Sequence, residues 1–129
     1  MDLLVTTHAF NADMAKLLID LVNLDRGELY TDLRTLPFFI PSHRSHEMLQ
    51  RWGLIKRSPH NKAHEQYSYY YRTTDEGIAF AHRMSQVPEH IYLLDGEIKG
   101  FGQTMVDIQD VIGDQEAYFE LIHAGGTHG

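Results

Sequence analysis

Leu49-Gln50-Arg51-Trp52-Gly53-Leu54-Ile55-Lys56-Arg57, followed beyond a polar stretch by Tyr70-Tyr71-Arg72-Thr73-Thr74-Asp75-Glu76-Gly77, is the part of the chain that decides the fold. Leu49 and Trp52 close a helix that reads from about Ser42, whose hydroxyl suits the free amides of a helix start. Ser45, Met48, Leu49 and Trp52 recur three and four apart and form its inward face. Gly53 supplies the left-handed stop and lets Leu54 and Ile55 return to the core. Leu54–Ser58 and Tyr67–Arg72 then read as two strands of a hairpin, joined by the polar turn Pro59–Gln66. Thr73 and Glu76 have the spacing of a capping box, which predicts a further helix from about Thr74 to Ser85 with Ile78, Ala81 and Met84 inward.

Working outward from this core, Met14, Leu17, Leu18, Leu21 and Val22 predict a first helix from Asn11, its cap, to Leu24. A shorter helix is expected over Glu28–Thr35, with Leu29 and Leu33 on one face, stopped by Pro37. Leu36 to Pro41 reads as an apolar connector tucked against the core. Beyond Pro88, Ile91–Lys99 reads as a hairpin turning at Asp95-Gly96, a pair suited to positive φ. Met105, Ile108, Val111 and Ile112 predict a terminal amphipathic helix over Thr104–Leu121, with Gly113 a point of division and His123–Gly129 frayed. The fold class is α+β and mainly helical, with residues 1–86 as one domain and residues 87–129 as an extension packed on it.

Three helices, a two-stranded hairpin and a following helix, in this order, resemble the winged helix-turn-helix family of small bacterial and phage transcription regulators. The resemblance rests on the helix end running into Gly-Leu-Ile and a basic residue, then on an aromatic strand entering a Thr-x-x-Gly helix start. It covers residues 11–85. It implies a winged helix-turn-helix with a C-terminal hairpin and helix extension, and a regulator that binds double-stranded DNA sequence-specifically without a cofactor. The third helix would enter the major groove and the hairpin, or wing, would touch phosphates. A homodimer is expected, with residues 87–129 supplying the contact.

Charge distribution supports that expectation better than net charge does. The chain of 129 residues carries −7 overall. Residues 1–86 are balanced, ten Lys/Arg against ten Asp/Glu, and the deficit sits in 87–129 with one Lys against eight acids. Residues 41–72 hold Arg44, Arg51, Lys56, Arg57, Lys62 and Arg72 against Glu47 and Glu65. A basic window of this kind is what a polyanionic partner requires. On the expected helix, Ser42, His43, Arg44, Glu47, Gln50 and Arg51 are the candidate DNA contacts. Arg44 can bridge guanine O6 and N7, and Glu47 can accept from a cytosine amine. Lys56, Arg57, Asn61 and Lys62 are the wing candidates for phosphate.

Rival readings exist for each feature. The acidic segment 87–129 admits a winged-helix protein-interaction module, such as a phage protein that binds a host factor, or a purely solubilising role. Tyr67, Tyr69 and Tyr71 share one strand face and can stack single-stranded bases, but aromatic residues at period two more simply pack a core. His43, His46, His60 and His64 mimic a zinc-finger interval, yet His46 lies near the inward face, where a hydrogen-bonded imidazole is the simpler account; no metal site is expected. No phosphate-cradling glycine loop, nucleophile elbow or His-Glu-x-x-His helix is present, so no enzyme is expected. The chain has no cysteine, a secretory leader is not apparent at its start, and no apolar run spans a bilayer; a cytoplasmic protein without a membrane role is expected.

Overall fold

The computed structural model describes residues 4–25, 29–59 and 69–123. They form an α+β fold with antiparallel sheets. Helix α1, Ala12–Asp25, is its centre. Asn11 caps it as the sequence predicts, its Oδ1 accepting from the Met14 amide at 3.0 Å. Ala15 and Ile19 are buried together with the predicted Met14, Leu17, Leu18, Leu21 and Val22. The apolar surface is wider than one stripe because α1 is wrapped on several sides: helices α2 (Ser45–Arg51), α3 (Asp75–Ala81), α4 (Ile108–Ile112) and α5 (Gln115–His123) all pack on it. Each fully buried Leu or Ile contributes about 1.5–3 kcal/mol relative to exposure.

Three strands follow α1: β2 (Thr31–Asp32), β3 (Ile55–Arg57) and β4 (Tyr70–Thr73), in the sheet order β2-β4-β3. The helix expected over Glu28–Thr35 is absent from residues 29–35. Thr31 and Asp32 pair with Tyr71 and Tyr70, and only a single 3-10 turn, Leu33–Thr35, follows. Asp32 dictates this: its carboxylate accepts from the Arg34 amide at 3.0 Å and from the Arg34 guanidinium at 2.9 and 2.8 Å. A side chain engaged with its own backbone two residues on favours a turn over a helix. Leu33 is buried as expected, but Leu29 is exposed. In the connector, Leu36 is buried and Phe39 packs on the core, whereas Phe38 and Ile40 face solvent.

Helix α2 starts later than the sequence suggests. Pro41–His43 is a separate 3-10 turn, and Arg44, at φ 55°, interrupts the chain before Ser45, so Arg44 and not Ser42 stands at the cap position of α2. The other end is as expected. Gly53 at φ 77° closes a Schellman arrangement, its amide on the Gln50 carbonyl (3.0 Å) and that of Leu54 on the Leu49 carbonyl (3.1 Å). The cap of α3 is Thr74, one residue beyond the predicted Thr73. Thr73 is still strand, paired with Ile55, and its amide and hydroxyl are taken by the buried Asp25 carboxylate. Thr74 Oγ1 accepts from the Gly77 amide (3.1 Å) and donates to the Gly53 carbonyl (2.6 Å). Of the inward residues expected on α3, Ala81 is buried and Ile78 packs on the core, but Met84 lies beyond the helix and is exposed.

Residues 87–129 contribute to the same buried cluster as α1. Ile91, Leu93, Val106, Ile108, Tyr118 and Ile122 belong to it, Trp52 Nε1 donates to the Pro88 carbonyl (2.7 Å), and the Tyr118 hydroxyl donates to Ala81 (2.7 Å). Strand β1, Val5–Ala9, carries no sequence signal and pairs with β6 (His90–Leu94) from Val5↔Leu94 to Ala9↔His90. The predicted hairpin joins β6 to β7 (Glu97–Phe101) through Asp95 and Gly96, both at positive φ, and completes the sheet β1-β6-β7. Short strands β5 (Val87–Pro88) and β8 (Met105–Val106) pair separately. The single terminal helix expected over Thr104–Leu121 is two helices. Residues 105 and 106 are strand, Asp107 and Asp110 form a capping box at the start of α4, and Gly113 at φ 87° ends it before α5. Residues 124–129 of the expected frayed end lie outside the described residues.

Candidate nucleic-acid interface

Helix α2 is held from below and leaves one face open. Ser45, His46 and Leu49 are buried, and Trp52 packs edge-on against Phe10 with ring centroids 5.5 Å apart. Ser42, His43, Arg44 and Gln50 are exposed; Glu47 and Arg51 are half-buried. The structure therefore brings together the six candidates expected on the third helix, although Ser42 and His43 stand on the preceding turn and Arg44 at its junction with α2.

Several of these side chains already have partners. Arg44 forms an ion pair with Glu47, and its guanidinium holds the Glu47 carboxyl below the usual carboxylate range. His43 Nδ1 lies 3.1 Å from Asp13 on α1. Arg51 has neither hydrogen bond nor ion pair among the described residues. It reaches the β6–β7 turn, where a Cβ built on Gly96 would stand 3.8 Å from its Nη2.

The basic residues of the hairpin divide between two faces. Pleating puts Ile55 and Arg57 on the core side of β3 and Lys56 on the other. Arg57 pairs with Tyr71 and acts electrostatically on His46 and Tyr71, so it stands on the α2 side. Lys56 pairs with Arg72 and lies with Thr74, Asp75 and Glu76 on the far side. A single wing surface containing both Lys56 and Arg57 is thus replaced by Arg57 alone beside α2. Asn61 and Lys62 lie outside the described residues, as do His60, His64 and Tyr67.

Sequence reasoning missed the aromatic seat beneath α2. The His46 ring lies 5.3 Å from Phe39, 5.6 Å from Tyr69 and 5.7 Å from Tyr71, and Phe39 meets Tyr69 edge-on. Tyr69 and Tyr71 accordingly pack rather than stand free for base stacking. The imidazole is buried, but Nδ1 has no hydrogen-bond partner among the described residues, which corrects the expected hydrogen-bonded histidine. His43 and His46 occupy different environments, and no group of three or more metal-ligating side chains occurs among the described residues. The period-two tyrosines signalled one wall of this seat; nothing in sequence spacing places Phe39 opposite them.

Burial pushes the His46 pKa below the ordinary 6.5, with Glu47 opposing and Arg44 and Arg57 reinforcing the shift. The unfolded chain therefore takes up this proton at higher pH than the folded one. The stability contributed by neutral His46 is complete above about pH 6.5 and is lost as pH falls through the lowered folded value. Thermal unfolding at about pH 7 and about pH 5 is expected to show a smaller drop in Tm for His46→Phe than for the unaltered chain. Equal drops would remove His46 from the acid response.

No helix among the described residues is long and apolar enough to cross a membrane. Comparison of the chain with protein-family models, with curated proteins and with solved structures gave no match.

Proposed function

We propose that the chain is a winged-helix protein that binds double-stranded DNA as a transcription regulator, with α2 in the major groove and the β3–β4 hairpin on the backbone. One observation supports the reading: Arg57 at the root of the hairpin and Glu47 on α2 are both within electrostatic reach of His46 and Tyr71, so hairpin and helix meet there. The order β2-β4-β3, with α2 turning through Gly53 into β3, supports the reading. Ser42, Arg44, Glu47 and Gln50 reach base edges or nearby phosphates, and Arg57 contacts phosphate. Arg44 exchanges Glu47 for guanine on binding, which frees Glu47 for a cytosine amine.

Arg44→Gly is the informative variant, since it removes the guanidinium at a position whose φ of 55° suits glycine. Fluorescence anisotropy against pooled duplex fragments is expected to give affinity that falls steeply with salt. Arg44→Gly should weaken the preferred duplex by about tenfold. Arg57→Gln should weaken all sequences alike and reduce the salt slope by about one. Absence of salt-dependent binding, or unchanged binding by both variants, overturns the reading.

A second reading, a winged-helix module that docks on a protein, is favoured by one feature. Exposed Asp95 precedes Gly96, the turn residue beside Arg51, and puts negative charge near a flank of α2, while Glu97 after it is paired with Lys99. Absence of DNA affinity in the same titration would leave this reading in place. Deletion of residues 103–129 does not separate the two, because Ile108, Tyr118 and Ile122 are part of the core.

A further inference from the structure

The β1-β6-β7 sheet stands over one flank of α2 and encloses a cleft of about 400 Å³ between them. That volume is within the usual range of small-molecule sites. Its walls are of two kinds. Met48 and Leu93 are apolar; His8 on β1 and Arg51 on α2 are polar and face the same space.

The charges at the cleft are unevenly satisfied. Arg44 is engaged by Glu47, and His43 by Asp13. Arg51 stands with its guanidinium against the Gly96 turn, without a hydrogen bond or ion pair among the described residues, and acts on Glu47 only electrostatically. His8 uses Nε2 towards Thr6 Oγ1 at 3.0 Å, and its other ring nitrogen has no partner among the described residues. A planar guanidinium whose N–H groups are not hydrogen-bonded matches one carboxylate in a two-pronged contact. Glu47, which also lines the cleft, repels a second negative charge on the ligand and so disfavours phosphate dianions or dicarboxylates.

We propose that this cleft binds a small monocarboxylate with an apolar body, its carboxylate on Arg51, with His8 Nδ1–H as second donor in the tautomer whose Nε2 accepts from Thr6, and its body against Met48 and Leu93. The inference does not rest on DNA binding, and its test is read by ligand binding alone.

The probes are sodium benzoate and its neutral counterpart benzamide, titrated into the full chain labelled with ¹⁵N and followed by amide chemical shifts. Benzoate is expected to shift amides of residues 6–8, 48–51 and 93–96 in a saturable manner. Benzamide should bind about tenfold or more weakly, and so should benzoate on Arg51→Gln and, to a lesser degree, on His8→Gln. Arg51 and His8 are only partly buried, so both variants are expected to retain the dispersed spectrum of the folded chain. The proposal is overturned by any of three results: no saturable shifts up to about 10 mM benzoate, equal affinity of Arg51→Gln, or the same shifts from sodium chloride at matched ionic strength.

Discussion

Gly77→Ala is expected to destabilise the protein by about 3 kcal/mol, although alanine is favoured over glycine in a helix by about 1 kcal/mol. Gly77 lies in α3, and the Cβ of an alanine there would sit 2.0 Å from the Leu54 carbonyl oxygen and 3.0 Å from its carbon. Those are backbone atoms, and they are tied down. The Leu54 amide is bonded to Leu49, and its carbonyl accepts from the Thr74 amide at 3.0 Å. Relief of the clash must move the start of β3 or the first turn of α3, and either shift strains the Schellman turn or the Thr74 cap. Overpacking alone typically costs about 1–3 kcal/mol, and each weakened hydrogen bond adds about 1. Urea unfolding should show a lower midpoint with unchanged slope. A midpoint that rises, as helix propensity alone predicts, would refute the docking of Gly77 on Leu54.

Asp25→Ala is expected to cost about 3 kcal/mol for a different reason. Asp25 and Thr73 are 3% and 2% exposed, and the carboxylate accepts from the Thr73 amide at 3.1 Å and from its hydroxyl at 2.8 Å. Removing it leaves two buried donors facing an apolar side chain. An unsatisfied buried donor typically costs about 1–3 kcal/mol, far more than the bond's net worth when both partners are present. Asp25→Asn should cost less than Asp25→Ala, since its carbonyl still accepts one bond while its amide confronts the other donor. Thr73→Val removes the hydroxyl at nearly constant shape. In the cycle formed by Asp25→Ala, Thr73→Val and the pair, a coupling of about 1 kcal/mol or more is expected. Strictly additive losses would mean that the hydroxyl bond contributes nothing to the link between α1 and β4.

These two sites explain the quality of the sequence reading. Gly53 and the Thr-x-x-Gly spacing carried the fold expectation, and in three dimensions they are one contact: Thr74 bonds Gly53, and Gly77 lies against Leu54. The displacement of the cap from Thr73 to Thr74 was not legible, because the group that claims Thr73 is Asp25, 48 residues away in the chain. The lost helix over residues 29–35 has a local cause in the Asp32–Arg34 contact, which a periodicity count does not register. Strand β1 has no pattern at all. Val5, Thr6, Thr7 and Ala9 are exposed, and what makes them a strand is the edge offered by β6.

For the candidate site the division is similar. That Gln50 is exposed follows from helical spacing against Leu49 and Trp52; Ser42, His43 and Arg44 are exposed on the turn and junction before α2, which that spacing does not describe. Which of them are already engaged does not follow, since Asp13 comes from another helix and the Gly96 turn from another sheet.

By itself, the sequence determined the elements whose cause is local. These are α1 with its Asn11 cap, the Gly53 stop, the Asp95-Gly96 turn, the break at Gly113 and the α+β class. Each depends on side-chain periodicity or on a backbone conformation that only a few residues accept. Tertiary structure alone decided that β1 joins β6, that His46 is sealed among Phe39, Tyr69 and Tyr71, and that Arg57 but not Lys56 accompanies α2. Those outcomes depend on which distant surfaces meet, and burial, pleat and hydrogen-bond satisfaction are settled only when they do.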